Sequence, residues 1–168
     1  MKTPRLLFSP REAGRGMRLS LLATAPGSFF MLGTMGPVLA GLLILLNMNP
    51  VQIGVINSIM VLFVPLQLLG VLLEEIHFPR KLVWAVATGL SRLLWFLIVG
   101  LILLRNKLDH DQLVYLFVIV FAMTHFFAQL PASLWFSWMG DLVPSSRTTQ
   151  FWSQRNGTTQ LFTFLASL

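Results

Sequence analysis

The chain has 168 residues, of which 55% are hydrophobic and 11% are charged, with a formal net charge of +6 and no cysteine. Soluble proteins carry about 25% charged residues, so this composition excludes an ordinary soluble globule. The absence of cysteine excludes disulfides, thiolate nucleophiles and cysteine-ligated metal sites. The basic residues lie between apolar runs and do not form a face with interleaved aromatic residues, so we expect no nucleic-acid partner.

Long apolar stretches account for most of the chain. They cover residues 20–46, 51–73, 82–104 and 113–139, and Arg92 is the one Arg or Lys within them. A helix needs about 20 apolar residues to cross the hydrocarbon layer of a bilayer, and each stretch is long enough. The sequence therefore predicts an all-α, polytopic helical membrane protein in contact with the lipid bilayer.

The predicted order of segments follows from these stretches. We expect a basic cytoplasmic arm at residues 1–19, four transmembrane helices within 20–139, a cytoplasmic loop at 140–157 and the start of an incomplete fifth helix at 158–168. The eleven residues after Gly157 would give about 16 Å of helix, about half of a membrane crossing. We therefore expect the chain to be the N-terminal fragment of a longer protein, unable to transport by itself.

Basic residues near the ends of the stretches are distributed unequally. Two of them, Arg105 and Lys107, are on one side. Nine are on the other: Lys2, Arg5, Arg11, Arg15, Arg18, Arg80, Lys81, Arg147 and Arg155. The positive-inside rule then places the N-terminus in the cytoplasm.

Turn and capping residues agree with these boundaries. Asn49 is predicted to cap the second transmembrane helix with Pro50 at its first position, and Asp111 to cap the fourth. The first two spans are then expected to form an antiparallel hairpin. Prolines inside the stretches predict kinks, which neighbouring helices in a membrane can accommodate; they are Pro26, Pro37, Pro65 and Pro131.

Arg92 is the main candidate for function inside the membrane. An arginine at the centre of a span costs about 2.5–3.5 kcal/mol, so its side chain should face a protein interior or a watery cavity. Helical spacing groups it with Ala85, Thr88 and Gly89 on one small or polar face. Arg92 then either lines a substrate pathway, where it would favour an anionic group, or bonds to backbone carbonyls or a carboxylate of another helix.

Four further polar residues are weaker candidates for the same pathway: Gln67, His125, Gln129 and Asn57. His125 and Gln129 are four positions apart, so they share one face of the fourth helix. Such residues also form hydrogen bonds between helices, worth about 0.6 kcal/mol on average. From the sequence alone, both a role in the pathway and a hydrogen bond between helices are possible for these residues.

Residues 70–81, GVLLEEIHFPRK, resemble the glycine, acid and paired-basic motif between helices two and three of the major facilitator superfamily. Gly70 and Glu74 match that motif in spacing. The basic pair, Arg80 and Lys81, arrives two residues late, and Glu75 stands where a basic residue is usual.

A second segment carries the same resemblance. Residues 135–144, WFSWMGDLVP, are followed by Arg147, Phe151 and Arg155, and are similar to the loop between helices four and five of bacterial facilitator-type permeases. Thr148 and Thr149 replace the glycine and the second arginine of that loop.

The resemblance implies a secondary transporter of twelve helices in two halves, in the bacterial inner membrane, moving a small solute by alternating access with a coupling proton or sodium ion. It also implies a cytoplasmic gate, built from Gly70, Glu74, Arg80, Lys81, Asp141, Arg147 and Arg155. No enzymatic activity, cofactor or metal is expected. A small membrane scaffold or an intramembrane enzyme are the alternatives, although the three histidines show no paired-His motif.

Overall fold

The computed structural model describes residues 9–75 and 79–167. Within this part of the chain there are helices and turns but no strand. The α-helices are α1 (Pro10–Leu22), α2 (Thr24–Thr34), α3 (Gly36–Leu45), α4 (Pro50–Leu62), α5 (Gln67–Glu75), α6 (Arg80–Leu103), α7 (His110–Gln129), α8 (Ala132–Leu142) and α9 (Thr148–Ala166). Short 3-10 turns occupy Val64–Leu66, Arg105–Lys107 and Ser145–Arg147.

Four helical stretches of the described chain are long and apolar enough to cross a membrane. They are Arg11–Leu45, Pro50–Leu72, Arg80–Leu103 and His110–Leu142, and we number them as spans one to four. Each overlaps one of the predicted apolar stretches, although the first span begins at Arg11 and not at residue 20. The predicted all-α architecture with four possible transmembrane helices is therefore confirmed.

Three of the four spans are interrupted, and a proline lies at or close to each interruption. Span one breaks at Ala23, before Pro26, and again at Met35, before Pro37. Span two passes through the 3-10 turn that contains Pro65, and Pro131 separates α7 from α8 in span four. Proline has no N–H to donate and its ring clashes with the preceding turn, which explains these breaks.

Glycine also shapes the second break of span one. Gly36 has φ +61°, in the left-handed region, and Met35 before it is extended at φ −139° and ψ 175°. Because residues with a Cβ are strained at positive φ, glycine suits this position. Span three contrasts with the others, since α6 runs through its 24 residues without a break.

The turn between spans one and two has the predicted capping. The side chain of Asn49 accepts a hydrogen bond from the Gln52 amide at 2.9 Å, and the Gln52 side chain accepts one from the Asn49 amide at 2.8 Å. Pro50 occupies the first turn of α4, where its missing N–H costs nothing. Asn47 completes the turn at φ 54°, a conformation that asparagine tolerates.

The predicted cap of span four is wrong. Asp109 holds the N-cap position of α7 with extended backbone angles, and its side chain makes no capping hydrogen bond. Asp111 is already inside the first turn of the helix. Its carboxylate still lies at the positive end of the helix dipole, where a negative charge is favourable.

The segment after span four differs from its predicted boundaries. Instead of a loop over residues 140–157, α8 continues to Leu142 and α9 begins at Thr148. α9 therefore includes Arg155 and Gly157 and starts well before residue 158. At the other end of the chain, α1 begins at Pro10, inside the predicted basic arm of residues 1–19.

The chain divides into two compact units, Met1–Leu42 with Met139–Leu168, and Leu43–Trp138. In the second unit, α7 packs along α6 and also contacts α4. Phe117 and Phe121 of α7 are completely buried, with their rings stacked at a centroid distance of 5.8 Å. The ring of Trp95 on α6 meets Phe121 edge to face at 6.2 Å.

The first unit is built around α2 and α9, which pack against each other and both contact α1. The ring centroids of Phe29 on α2 and Phe162 on α9 are 6.3 Å apart. Thr24, Ser28 and Thr34 of α2 are buried although they are polar. Each hydroxyl donates to the carbonyl four residues earlier, so none of these hydroxyls is buried without a hydrogen bond.

Candidate functional site

The clearest polar contact between two spans joins Gln67 and Gln129. The Gln67 Nε2 donates to the Gln129 Oε1 at 2.8 Å, and both side chains are partly buried. Gln67 begins α5 directly after the turn at Pro65, and Gln129 ends α7 directly before Pro131. The two interrupted spans therefore meet at their breaks, where each places an amide side chain.

Ser133 extends this contact by one residue. Its hydroxyl donates to the backbone carbonyl of Gln67 at 2.8 Å. Gln67 is the first residue of α5, where a carbonyl also accepts from the amide four residues later, so Ser133 adds a second donor, from span four, to an oxygen with two lone pairs. We call Gln67, Gln129 and Ser133 the break cluster.

Gly70 packs directly beside the break cluster. It is buried, and a Cβ placed on it would meet the Ser133 side chain and lie 2.7 Å from the carbonyl oxygen of Leu130. Only glycine allows α5 to approach the α7–α8 junction this closely. Close packing is thus sufficient to explain Gly70, whichever role the sequence motif implies for it.

His125 lies one turn before Gln129 on α7 and is only 3% exposed. Its ring centroid is 4.4 Å from that of Phe121, and its Nδ1 finds no hydrogen-bond partner among the described residues. The Trp95 and Phe121 contact sets the register of the antiparallel α6 and α7. Because the two helices are antiparallel, Ser91, four residues before Trp95, lies at the same level as His125, four residues after Phe121. Both Ser91 and His125 are buried.

Arg92 lies near the middle of α6 and is exposed at the surface of the chain. The residues that α6 buries are Ala87, Ser91 and Ile98. Thr88 is half-buried, whereas Asn57 on α4 is exposed. The small polar face that includes Thr88 and Arg92 is therefore distinct from the buried stripe of α6.

The basic pair at the start of α6 contacts α8. Arg80 Nη1 donates to the Ser137 hydroxyl at 3.3 Å. Lys81 Nζ lies 5.3 Å from the centre of the Trp138 ring, within cation–π range. Trp84 adds a second ring, 6.4 Å from that of Trp138. This end of span three is thus joined to span four by two cations and two indole rings.

The remaining residues of the predicted gate lie on α8, on α9 and between them. Asp141 and Arg147 are exposed, and Arg155 is half-buried with its guanidinium 5.9 Å from the Trp152 ring centre. Burial lowers the pKa of the Arg155 guanidinium below its ordinary value. Glu74 belongs to α5, and its side chain lies outside the part of the chain that the structure describes.

Sequence reasoning missed Ser133, Ser137 and Ser91. Each is a small hydroxyl residue in an apolar helix, and such residues commonly face a neighbouring helix in membrane proteins. Ser91 also had a local signal, because Ala87 four residues earlier places two small side chains on one stripe. Ser133 and Ser137 share the same four-residue spacing on α8.

Comparisons of the chain with protein-family models, with curated proteins and with solved structures gave no match. The four apolar helices fit a helical membrane protein.

Proposed function

We propose that this chain belongs to a secondary transporter of the major-facilitator type, which moves a small solute by alternating access and is not an enzyme. The observation that carries the proposal is the break cluster. Transporter sites are commonly built where discontinuous helices meet near the middle of the membrane, because the breaks expose backbone polar groups to a ligand. Gln67 and Gln129 stand at a meeting point of two interrupted spans, with Gln67 five residues before the end of span two at Leu72.

Arg92 supports the substrate side of this proposal. It is a cation in the central part of an unbroken span, and it is exposed at the chain surface. An arginine at that depth is too costly to face lipid, so a cavity or another protein surface should cover it. We propose that Arg92 and Thr88 face the substrate pathway and that the preferred solute carries an anionic group.

The contacts at the start of α6 support the proposed gate. Arg80 and Lys81 already hold the end of span three against α8 through Ser137 and Trp138. In the proposed mechanism this end of the bundle opens and closes, and pairing among Asp141, Arg147 and Arg155 biases the equilibrium between the two states. Each pair shifts a population and performs no bond chemistry.

We further propose that the protein lies in the inner membrane of a bacterium. Its N-terminus is proposed to be cytoplasmic because basic residues are distributed unequally between the two sides. A coupling proton or sodium ion would supply the driving force. The family resemblance of residues 70–81 and 135–144 points the same way as the break cluster.

The test is transport in proteoliposomes by the purified transporter to which this chain is proposed to belong. Solutes that raise its thermal unfolding temperature would first be selected from carboxylates, phosphate esters and neutral sugars, and then offered with and without a proton or sodium gradient. We expect saturable uptake of an anionic solute above that of protein-free liposomes. A correctly inserted protein that no solute stabilises and that takes up none of them would favour a membrane scaffold.

A further inference from the structure

Helix α1 presents a row of arginines on one side. Arg11, Arg15 and Arg18 are all exposed, and exposed Leu22 follows them along the same line. At 100° per residue, positions 11, 15, 18 and 22 fall within about 60° of one another. We call these three arginines the arginine row.

The opposite side of α1 is the packed one. Ala13 is buried, and a Cβ on Gly16 would meet the Leu142 side chain. Residues 13, 16 and 20 lie roughly 140–200° from Arg11 around the helix. The unit formed by Met1–Leu42 and Met139–Leu168 thus fixes which side of α1 points outward, and that side carries the arginine row.

The charge of α1 is not balanced within the helix. Three arginines are accompanied by a single carboxylate, Glu12, which gives a net charge of +2. Glu12 also caps the helix start, because its Oε2 accepts a hydrogen bond from the Ser9 amide at 2.8 Å. The cationic side therefore keeps an excess of positive charge.

The position of α1 along span one brings this charge to the bilayer surface. α1 is the first part of the candidate span Arg11–Leu45, and the residues that follow Arg18 are mostly apolar. Seven residues separate Arg18 from Arg11, about 10 Å along the helix axis. The headgroup layer on each side of a bilayer is about 5–8 Å thick, so the whole row lies within it or within a Debye length of it.

We propose that the arginine row is a binding surface for the anionic headgroups of phospholipids in the leaflet where span one begins. Guanidinium groups donate paired hydrogen bonds to phosphate oxygens, and an anionic leaflet supplies several phosphates within reach of the row. This surface does not depend on transport, and it fixes the depth of span one in the membrane. Its occupant is the lipid surface and not a soluble phosphate.

The test compares spin-labelled phosphatidylglycerol with spin-labelled phosphatidylcholine around the purified protein in phosphatidylcholine bilayers. Electron paramagnetic resonance gives the relative association constant from the motionally restricted lipid. We expect the wild-type protein to prefer phosphatidylglycerol by more than about fivefold, the factor that one surface cation provides, and high salt to weaken the preference.

Matched variants assign the preference to the row. R15Q/R18Q, which leaves only Arg11 of the row, should lower the ratio to about fivefold or less, whereas R105Q/K107Q, which removes two exposed charges beyond the far end of α6, should leave it unchanged. R15K/R18K keeps the charge and should keep most of the preference. Circular dichroism would verify that each variant retains its helices.

Three results would overturn the proposal. They are a wild-type protein without lipid preference, equal losses in the R15Q/R18Q and R105Q/K107Q variants, and a preference abolished by millimolar inorganic phosphate at constant ionic strength. The last result would show that the row binds a free anion.

Discussion

The side-chain amide of Gln67 donates a hydrogen bond at 2.8 Å to Gln129, a residue 62 positions later in the chain. This bond joins spans two and four at the point where both are interrupted. It therefore fixes how these two spans meet, in addition to any role toward a solute.

The first prediction concerns the strength of this bond. Gln67→Leu and Gln129→Leu should each destabilise the protein, and a double-mutant cycle should give a coupling energy of about 0.6 kcal/mol, with an upper bound of about 1.7 kcal/mol. The measurement is the free energy of unfolding in bicelles during titration with a denaturing detergent. Gln112→Leu, at an exposed position in the first turn of α7, is the control. A coupling energy of zero would show that the bond does not form in the membrane.

The second prediction concerns Gly70. Gly70→Ala should lower the free energy of unfolding by about 1–3 kcal/mol, because the new methyl group would collide with Ser133 and the Leu130 carbonyl. Gly54→Ala is the matched control, since Gly54 is also in a span but a methyl group added there would have no neighbouring atom within 4 Å. That control should be neutral or stabilising by up to about 1 kcal/mol. Equal stability of the two variants would remove the argument for close helix approach at Gly70.

The third prediction concerns orientation in the membrane. Because the chain has no cysteine, single cysteines at positions 147 and 109 can be labelled selectively with a reagent that does not cross membranes. We expect labelling of intact cells at position 109 and protection at position 147, which becomes reactive when the membrane is opened. The reverse pattern would invert the proposed orientation and with it the cytoplasmic gate.

The fourth prediction concerns Arg92. Arg92→Ala and Arg92→Lys should both reduce solute uptake at least about tenfold without changing membrane insertion, because lysine lacks the planar fork that binds an anion with two parallel hydrogen bonds. Arg105→Ala, which removes an exposed charge after the end of the same helix, should leave uptake close to that of the wild type. Full uptake by the Arg92→Ala variant would place Arg92 outside the pathway.

The sequence was sufficient for features that depend on neighbouring residues. The four spans follow from apolar length, the cap of α4 from Asn49 and Pro50, and the interruptions of three spans from nearby prolines. Such features are determined within about one helical turn, so residue type and spacing predict them well. The prediction of the N-cap residue of α7 was wrong because Asp109 and Asp111 are equally suitable by residue type, and only the backbone angles distinguish them.

Features that join distant parts of the chain were harder to predict from the sequence. Gln67 and Gln129 were each proposed as pathway residues, but their mutual hydrogen bond depends on how two spans align. Gly70 was selected for a sequence motif, whereas the structure shows its closeness to Ser133. Ser91 was overlooked beside the charged Arg92, although α6 buries Ser91 and exposes Arg92. Which side chains a helix buries depends on its rotation about its own axis, and adjacent residues point 100° apart around that axis.

The break at Met35 and Gly36 has a consequence for water inside the bilayer. The first amides of a helix have no acceptor in the preceding turn, and lipid cannot replace one. Water or a neighbouring protein group must therefore reach span one at this depth. Backbone amides at the start of α3 should accordingly exchange with deuterium sooner than those in the middle of α6, whose 24 residues are unbroken. In a membrane-embedded protein, that difference in exchange would trace where the apolar layer is open to water.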